Sequence, residues 1–230
     1  MYRPRHRSPC VPDIFDEVEE ELRAERTQQF LTRYAGALLA AALLVVALVA
    51  AWQGWRWYQA RQDQAAAAVY IQAMLQTSET GPNAESAHAA ALTQFSKLAQ
   101  GGPVGYRTLA RLRAAALEAT AGHQQQALAL WNEVAADSSA DPLLRNLASL
   151  LWAGHQIDSG DPALLEARLR PLAAPDDPWR PMAQEKLAWL ALRQGKTAEA
   201  KQMLTTLSHD ATAPNGVRER ATSVLAQLQG

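Results

Sequence analysis

Cysteine is almost missing from this 230-residue chain: Cys10 stands alone, so no intrachain disulfide can form. It precedes the apolar run of the sequence instead of following one, which argues against a lipid-anchored N-terminus. An excess of either charge is missing too. Lys and Arg number 22 against 23 Asp and Glu, a net charge of −1, so no field gathers nucleic acid. Glycine and proline number 12 each, and β-branched residues are few beside alanine and leucine. Summed propensity therefore favours helix nearly everywhere and leaves little for a sheet.

The usual carriers of chemistry are lacking as well. His6, His88, His123, His155 and His209 share no metal-ligand spacing, and neither HExxH nor CxxC occurs. Gly101 and Gly102 run into Pro103 instead of the Lys-Ser or Lys-Thr of a phosphate loop. No GxSxG or Ser/Lys arrangement suggests a nucleophile. Asp158, Asp176 and Asp177 fall in expected loops or helix ends, where acids serve as caps. The expectation is a chain that is no enzyme, with no cofactor, no metal and no small-molecule substrate.

What the sequence does hold begins with a charge-free stretch between Arg33 and Arg56. Within it AGALLAAALLVVALVAA, residues 35–51, contains nothing more polar than glycine. Residues 34–55 would make about 33 Å of helix against a hydrocarbon core of about 30 Å, which predicts a membrane span. Tyr34 on one side and Trp52, Trp55, Trp57 and Tyr58 on the other are the expected membrane-interface residues, since such rings prefer the headgroup layer. The preceding 33 residues and the following tryptophans suit an uncleaved signal anchor better than a cleaved leader. Gly36 and the alanines of the span would allow a second helix to approach closely.

Arg23, Arg26 and Arg33 before the run outnumber Arg56 and Arg61 after it by only three to two. With Arg3, Arg5 and Arg7 further out and a short N-terminal tail, the expectation is a cytoplasmic N-terminus and residues 56–230 outside, in the periplasm if the membrane is a Gram-negative inner membrane. In the expected cytoplasmic tail, residues 1–33, the proline-rich basic segment 1–12 reads as disordered. Asp13 would cap a helix whose apolar positions Ile14, Phe15, Val18 and Leu22 recur at helical spacing among acids. That stripe either leads into the span or docks on a partner protein.

After the span, prolines at Pro103, Pro142, Pro178 and Pro214 alternate with glycines at Gly122, Gly160 and Gly195. Proline suits a first helical position and glycine a left-handed helix end, so the alternation predicts helix, tight turn, helix, loop. Aligned on the glycines, Ala115, Ala153 and Ala188 lie seven positions before, and Ala127, Leu165 and Ala200 five after. Trp131, Leu169 and Leu204 follow at nine, and Val134, Leu172 and Leu207 at twelve. The small residues and glycines among these are the expected repeat-packing positions. A partial copy around Ala91, Phe95 and Leu98 precedes them, and Val217 to Gln229 would be a capping helix.

This pattern resembles the tetratricopeptide repeat, best in LAWLALRQGKTAEAKQML, residues 187–204. The fold expected is all-α: one N-terminal transmembrane helix followed by a tetratricopeptide-like superhelix. The whole layout, with WQGWRWYQARQ at residues 52–62 after the span, is similar to the YfgM-like ancillary subunits of the SecYEG translocon. That resemblance implies a periplasmic interaction domain beside the protein-conducting channel that hands secreted chains to chaperones. Its implied partners are translocon subunits, periplasmic chaperones or client peptides. An assembly factor for cytochrome c maturation or a cell-division coordinator has the same architecture and is the alternative. Trp131, Trp152, Trp179 and Trp189 suit a helical core, with Trp179 after Pro178 the best placed for exposure and partner binding. Arg107 and Arg111, with Arg113, form a solvated basic face or a site for acidic peptides.

Overall fold

Alanine-rich and leucine-rich segments with few internal breakers leave the helix as the low-energy backbone over most of this chain. The computed structural model describes residues 14–229, with side chains from 33 to 228. Among the described residues there are nine α-helices, one 3-10 turn and no strand, the all-α class expected. They are α1 (Ile14–Thr77), α2 (Ala84–Gly101), α3 (Val104–Thr120), α4 (Gln124–Ala136) and α5 (Pro142–Gly154). Then come α6 (Pro162–Leu169), the 3-10 turn Pro171–Ala173, α7 (Arg180–Arg193), α8 (Thr197–His209) and α9 (Asn215–Gln229). The chain divides into two units, Met1–Ala60 and Arg61–Gly230.

In the first unit α1 is continuous through the apolar run. It does not stop at Trp55: Gly54 is carried within it, and the next breakers are Gly81 and Pro82. It is the one helix among the described residues long and apolar enough to cross a membrane, and none of its most apolar stretch is buried inside the fold. Tyr34, Trp52, Trp55, Trp57 and Tyr58 are all exposed, and the Arg56 guanidinium lies 4.9 Å over the Trp52 ring. Residues 1–12 and the expected cap Asp13 lie outside the described residues. Ile14, Phe15, Val18 and Leu22 belong to α1, but their side chains lie outside them too.

The second unit begins with the last turns of α1. Ala66 and Ala73 are buried there, small enough to let α2 approach, and Tyr70 meets Phe95 edge-on at 5.5 Å and Tyr106 at 6.0 Å. The partial repeat foreseen around Ala91, Phe95 and Leu98 is thus completed by the end of α1 as its first helix. The pairs α3–α4, α5–α6 and α7–α8 follow, and α9 lies on α8.

Every position aligned on the glycines is buried, from Ala115, Ala153 and Ala188 to Val134, Leu172 and Leu207. Alanine at the closest approach lets helices touch backbone to backbone, while Trp131, Leu169 and Leu204 fill the wider gap beyond; each such side chain contributes about 1.5–3 kcal/mol by leaving water. α3 and α7 end alike: Gly122 (φ +82°) and Gly195 (φ +74°) take the left-handed turn. The His123 and Lys196 amides then donate back to the Glu118 and Ala191 carbonyls at 2.8 and 2.9 Å. Gly160 is different. It has no positive φ, and a Cβ there would sit 3.0 Å from the Gln156 carbonyl oxygen and 3.3 Å from Leu165 Cδ1, so it is glycine for want of space. The middle repeat also has the shortest helix, α6, followed directly by the turn that Pro171 begins.

Candidate protein-docking surface

The loops that join successive repeats carry one recurring arrangement. Each holds an aspartate whose Oδ1 accepts from the backbone amide two residues on: Ser139 to Asp137 at 3.0 Å, Trp179 to Asp177 at 2.8 Å, Thr212 to Asp210 at 2.8 Å. Its Oδ2 accepts from the first helix of the same repeat. The donors are Arg111 on α3 at 3.0 Å, Asn146 on α5 at 2.9 Å and Arg180 on α7 at 2.8 Å. The Ser139 hydrogen bonds, then Arg107 and Arg111, hold Asp137 below the usual carboxylate range; Thr212 and then Arg180 do so for Asp210. Each aspartate therefore ties its loop to the helix that opened its repeat.

This arrangement sets the structural place of two expected partner-binding residues. Arg107 lies 3.7 Å from Asp137 and donates to Ser139 Oγ at 3.0 Å, and Arg111 is shared between Asp137 and Glu133. They join elements of their own repeat, and the basic face foreseen at Arg107, Arg111 and Arg113 is a row of paired side chains, Arg113 donating to the Tyr70 hydroxyl at 3.4 Å. Trp179 is also corrected: it is half-buried, and its indole N–H donates to the Leu143 carbonyl at 3.0 Å. Its place after Pro178 suggested exposure, but Asp177 folds the loop back and lays the ring against the Leu165 and Leu169 core. Trp189 is the exposed one at 39%, Trp131 is fully buried, and Trp152 stacks under the Arg168 guanidinium at 3.9 Å.

The apolar ground open to a partner lies elsewhere. Between α6 with its 3-10 turn and α8 runs a cleft floored by α7, where Leu187, Ala191 and Met203 are apolar and Gln184, Gln194, Gln202 and Thr206 line the sides. Glutamine and threonine offer both donors and acceptors, which suits the backbone of an extended or helical peptide. The flexible Met203 side chain adapts to whatever apolar group is presented. The rim carries both charges. Glu166 pairs with Arg170, which keeps its carboxyl below the usual range, and Lys196 and Glu199 face the same opening. On one side of the cleft α6 is only eight residues long and is followed directly by the turn that Pro171 begins. Sequence reasoning missed it; the signal available was three glutamines near half-apolar positions of α7 and α8. Among the described residues no group of three His, Cys, Asp or Glu side chains could hold a metal ion.

A family model described as a tetratricopeptide repeat-like domain matches residues 28–150 of this chain. The chain belongs to that family. Domains of the tetratricopeptide kind typically serve as interaction scaffolds without catalysis of their own, and they mediate protein–protein contacts. The matched residues end within α5, yet Ala188, Ala200 and Leu204 continue the same buried pattern through α8, on either side of the left-handed turn at Gly195. No curated protein and no solved structure matches the chain significantly.

Proposed function

We propose that this tetratricopeptide-like protein is a membrane-anchored interaction scaffold at the Sec translocon, assisting the hand-over of secreted proteins to periplasmic chaperones. The observation that carries the reading is the union on one chain of an unburied apolar helix, its flanking tryptophans and a repeat stack with an apolar cleft. The layout around residues 52–62 is the basis for the translocon in particular. In this reading residues 34–55 cross the inner membrane, the N-terminus is cytoplasmic, and the repeats work in the periplasm on extended client segments. Their cleft takes an apolar side chain over Leu187 and Met203 and the client backbone on its glutamines.

The test is a mild-detergent pull-down of the tagged full-length protein from native membranes after crosslinking, read by mass spectrometry. Channel subunits and periplasmic chaperones should be recovered, and Leu187→Asp with Met203→Glu should lose chaperones or clients while the protein stays folded and membrane-bound. Recovery of haem-handling or division proteins in their place would move the scaffold to cytochrome c maturation or cell division.

A further inference from the structure

The two ends of the repeat stack are finished differently. At the C-terminal end α9 buries Val217, Ala221 and Val224 and turns Glu219, Thr222, Ser223 and Gln227 to solvent. At the other end, α1 residues 61–77 bury Ala66 and Ala73 and turn Gln64, Ala68, Ile71 and Leu75 outward. Ile71 is 59% exposed and Leu75 64%. A helical stack needs a polar outer face at each end to stay in water, and this end has an apolar one.

We infer that this face pairs with its counterpart on a second copy, forming a parallel two-helix dimer about a two-fold axis. Positions 64, 68, 71 and 75 follow the alternating four-three-four spacing of a coiled-coil seam, which is complementary to itself under two-fold symmetry. Ala66 and Ala73 fall on the helix face opposite that seam, so pairing takes nothing from the stack. The positions flanking the seam, Ala65, Ala67, Gln72 and Met74, carry no charge, so two identical helices meet there without like-charge repulsion. An unrelated partner would not require self-complementary spacing. The inference rests on the membrane-anchored reading in one respect: α1 also carries the apolar run, and copies held by it in one membrane share one polarity, as a parallel pair demands.

The test uses the full-length chain in its native membrane. With Cys10→Ser as background, single cysteines are placed by Ala68→Cys, Ile71→Cys, Leu75→Cys and, off the seam, Asp63→Cys, and the membranes are oxidised mildly. Equivalent seam positions of a parallel pair lie close enough for a disulfide. A disulfide-linked dimer of this chain is expected from the three seam variants and little or none from Asp63→Cys, with Ile71→Glu abolishing the Leu75→Cys dimer. Equal yields at all four sites, monomer throughout, or an adduct to a different protein would overturn the pairing. Carbonate extraction of the same membranes tests the anchor separately. Protein that stays in the membrane without crosslinking sinks the dimer alone, and protein that is extracted yet crosslinks with the seam pattern sinks the anchor alone.

Discussion

Arg220→Leu should loosen the C-terminal end of the stack. Glu185 on α7 is 2% exposed, and its carboxylate accepts from Arg220 on α9 at 2.6 and 2.9 Å. That carboxylate raises the Arg220 guanidinium above its ordinary value, since the charged form is the one that donates. Leucine keeps the apolar stem and removes the charge, which strands a carboxylate where water has little access. A buried polar group left without its partner costs about 1–3 kcal/mol, and breaking a fully buried ion pair about 3–5 kcal/mol. The Arg220 side chain is itself 57% exposed, so water can partly fill its place and the lower range applies. Because α9 packs chiefly on α8, the cost appears first as its detachment from Leu204 and Leu207, exposing the α8–α9 loop. Limited proteolysis of the full-length protein in mild detergent reads that opening. Cleavage in residues 210–216 should rise about 5- to 150-fold, as 1–3 kcal/mol requires when opening is fast beside cleavage. Glu185→Leu combined with Arg220→Leu removes the stranded charge and should recover most of the resistance. If the double variant is cleaved as readily as Arg220→Leu, the cost lies in lost arginine packing and the electrostatic argument fails.

Gly195→Asn should be nearly neutral and Gly195→Val destabilising by about 1–2 kcal/mol in thermal unfolding, because nothing crowds a Cβ there and only the left-handed backbone resists. Gly160→Ala should destabilise through collision with the Gln156 carbonyl and Leu165, and Leu165→Ala in the same chain should relieve part of that loss if sterics are the cause. Asp137 and Asp210 are held below the ordinary value of 3.8, so their contribution is complete above that pH and is lost as pH falls through their lower folded values. Asp137→Asn should therefore lower stability at neutral pH and flatten the acid limb of a pH–stability profile. His155 stacks on Trp131 with ring centroids 4.4 Å apart, and burial, then Lys186, lowers its affinity for a proton. The unfolded chain takes that proton first, so stability should fall as pH drops below 6.5, and His155→Phe should remove that step. Leu44→Arg in the apolar run should reduce the carbonate-resistant fraction, the centre of a bilayer costing an arginine about 2.5–3.5 kcal/mol.

Periodicity made the repeats legible because each small residue sits where two helices touch, and the touching is dictated by local spacing alone. Ala127, Ala200 and their neighbours could thus be placed without a structure, and the glycines at 122 and 195 by the turn chemistry of a helix end. The first helix of the stack was harder to see, since buried Ala66 lies in a run of four alanines in which exposed Ala65 and Ala68 look the same. Of the loop aspartates only Asp177 was singled out, and then only as a cap, because what their second oxygens bind is 26 to 31 residues away, at Arg111, Asn146 and Arg180. Trp179 was misjudged for the same reason: its exposure is decided by a carbonyl at Leu143, which no local pattern announces. The candidate cleft joins side chains of α6, α7 and α8 that lie up to about forty positions apart, a proximity in three dimensions that one-dimensional spacing does not carry.

The three loop carboxylates also make the stack a chain of joints with unequal stiffness. At Asp137 and Asp210 the tie runs to guanidinium groups, while at Asp177 it runs to the neutral amide of Asn146. Added salt weakens the first kind and leaves the second nearly untouched. Ionic strength would then soften the ties at Asp137 and Asp210 more than the one at Asp177.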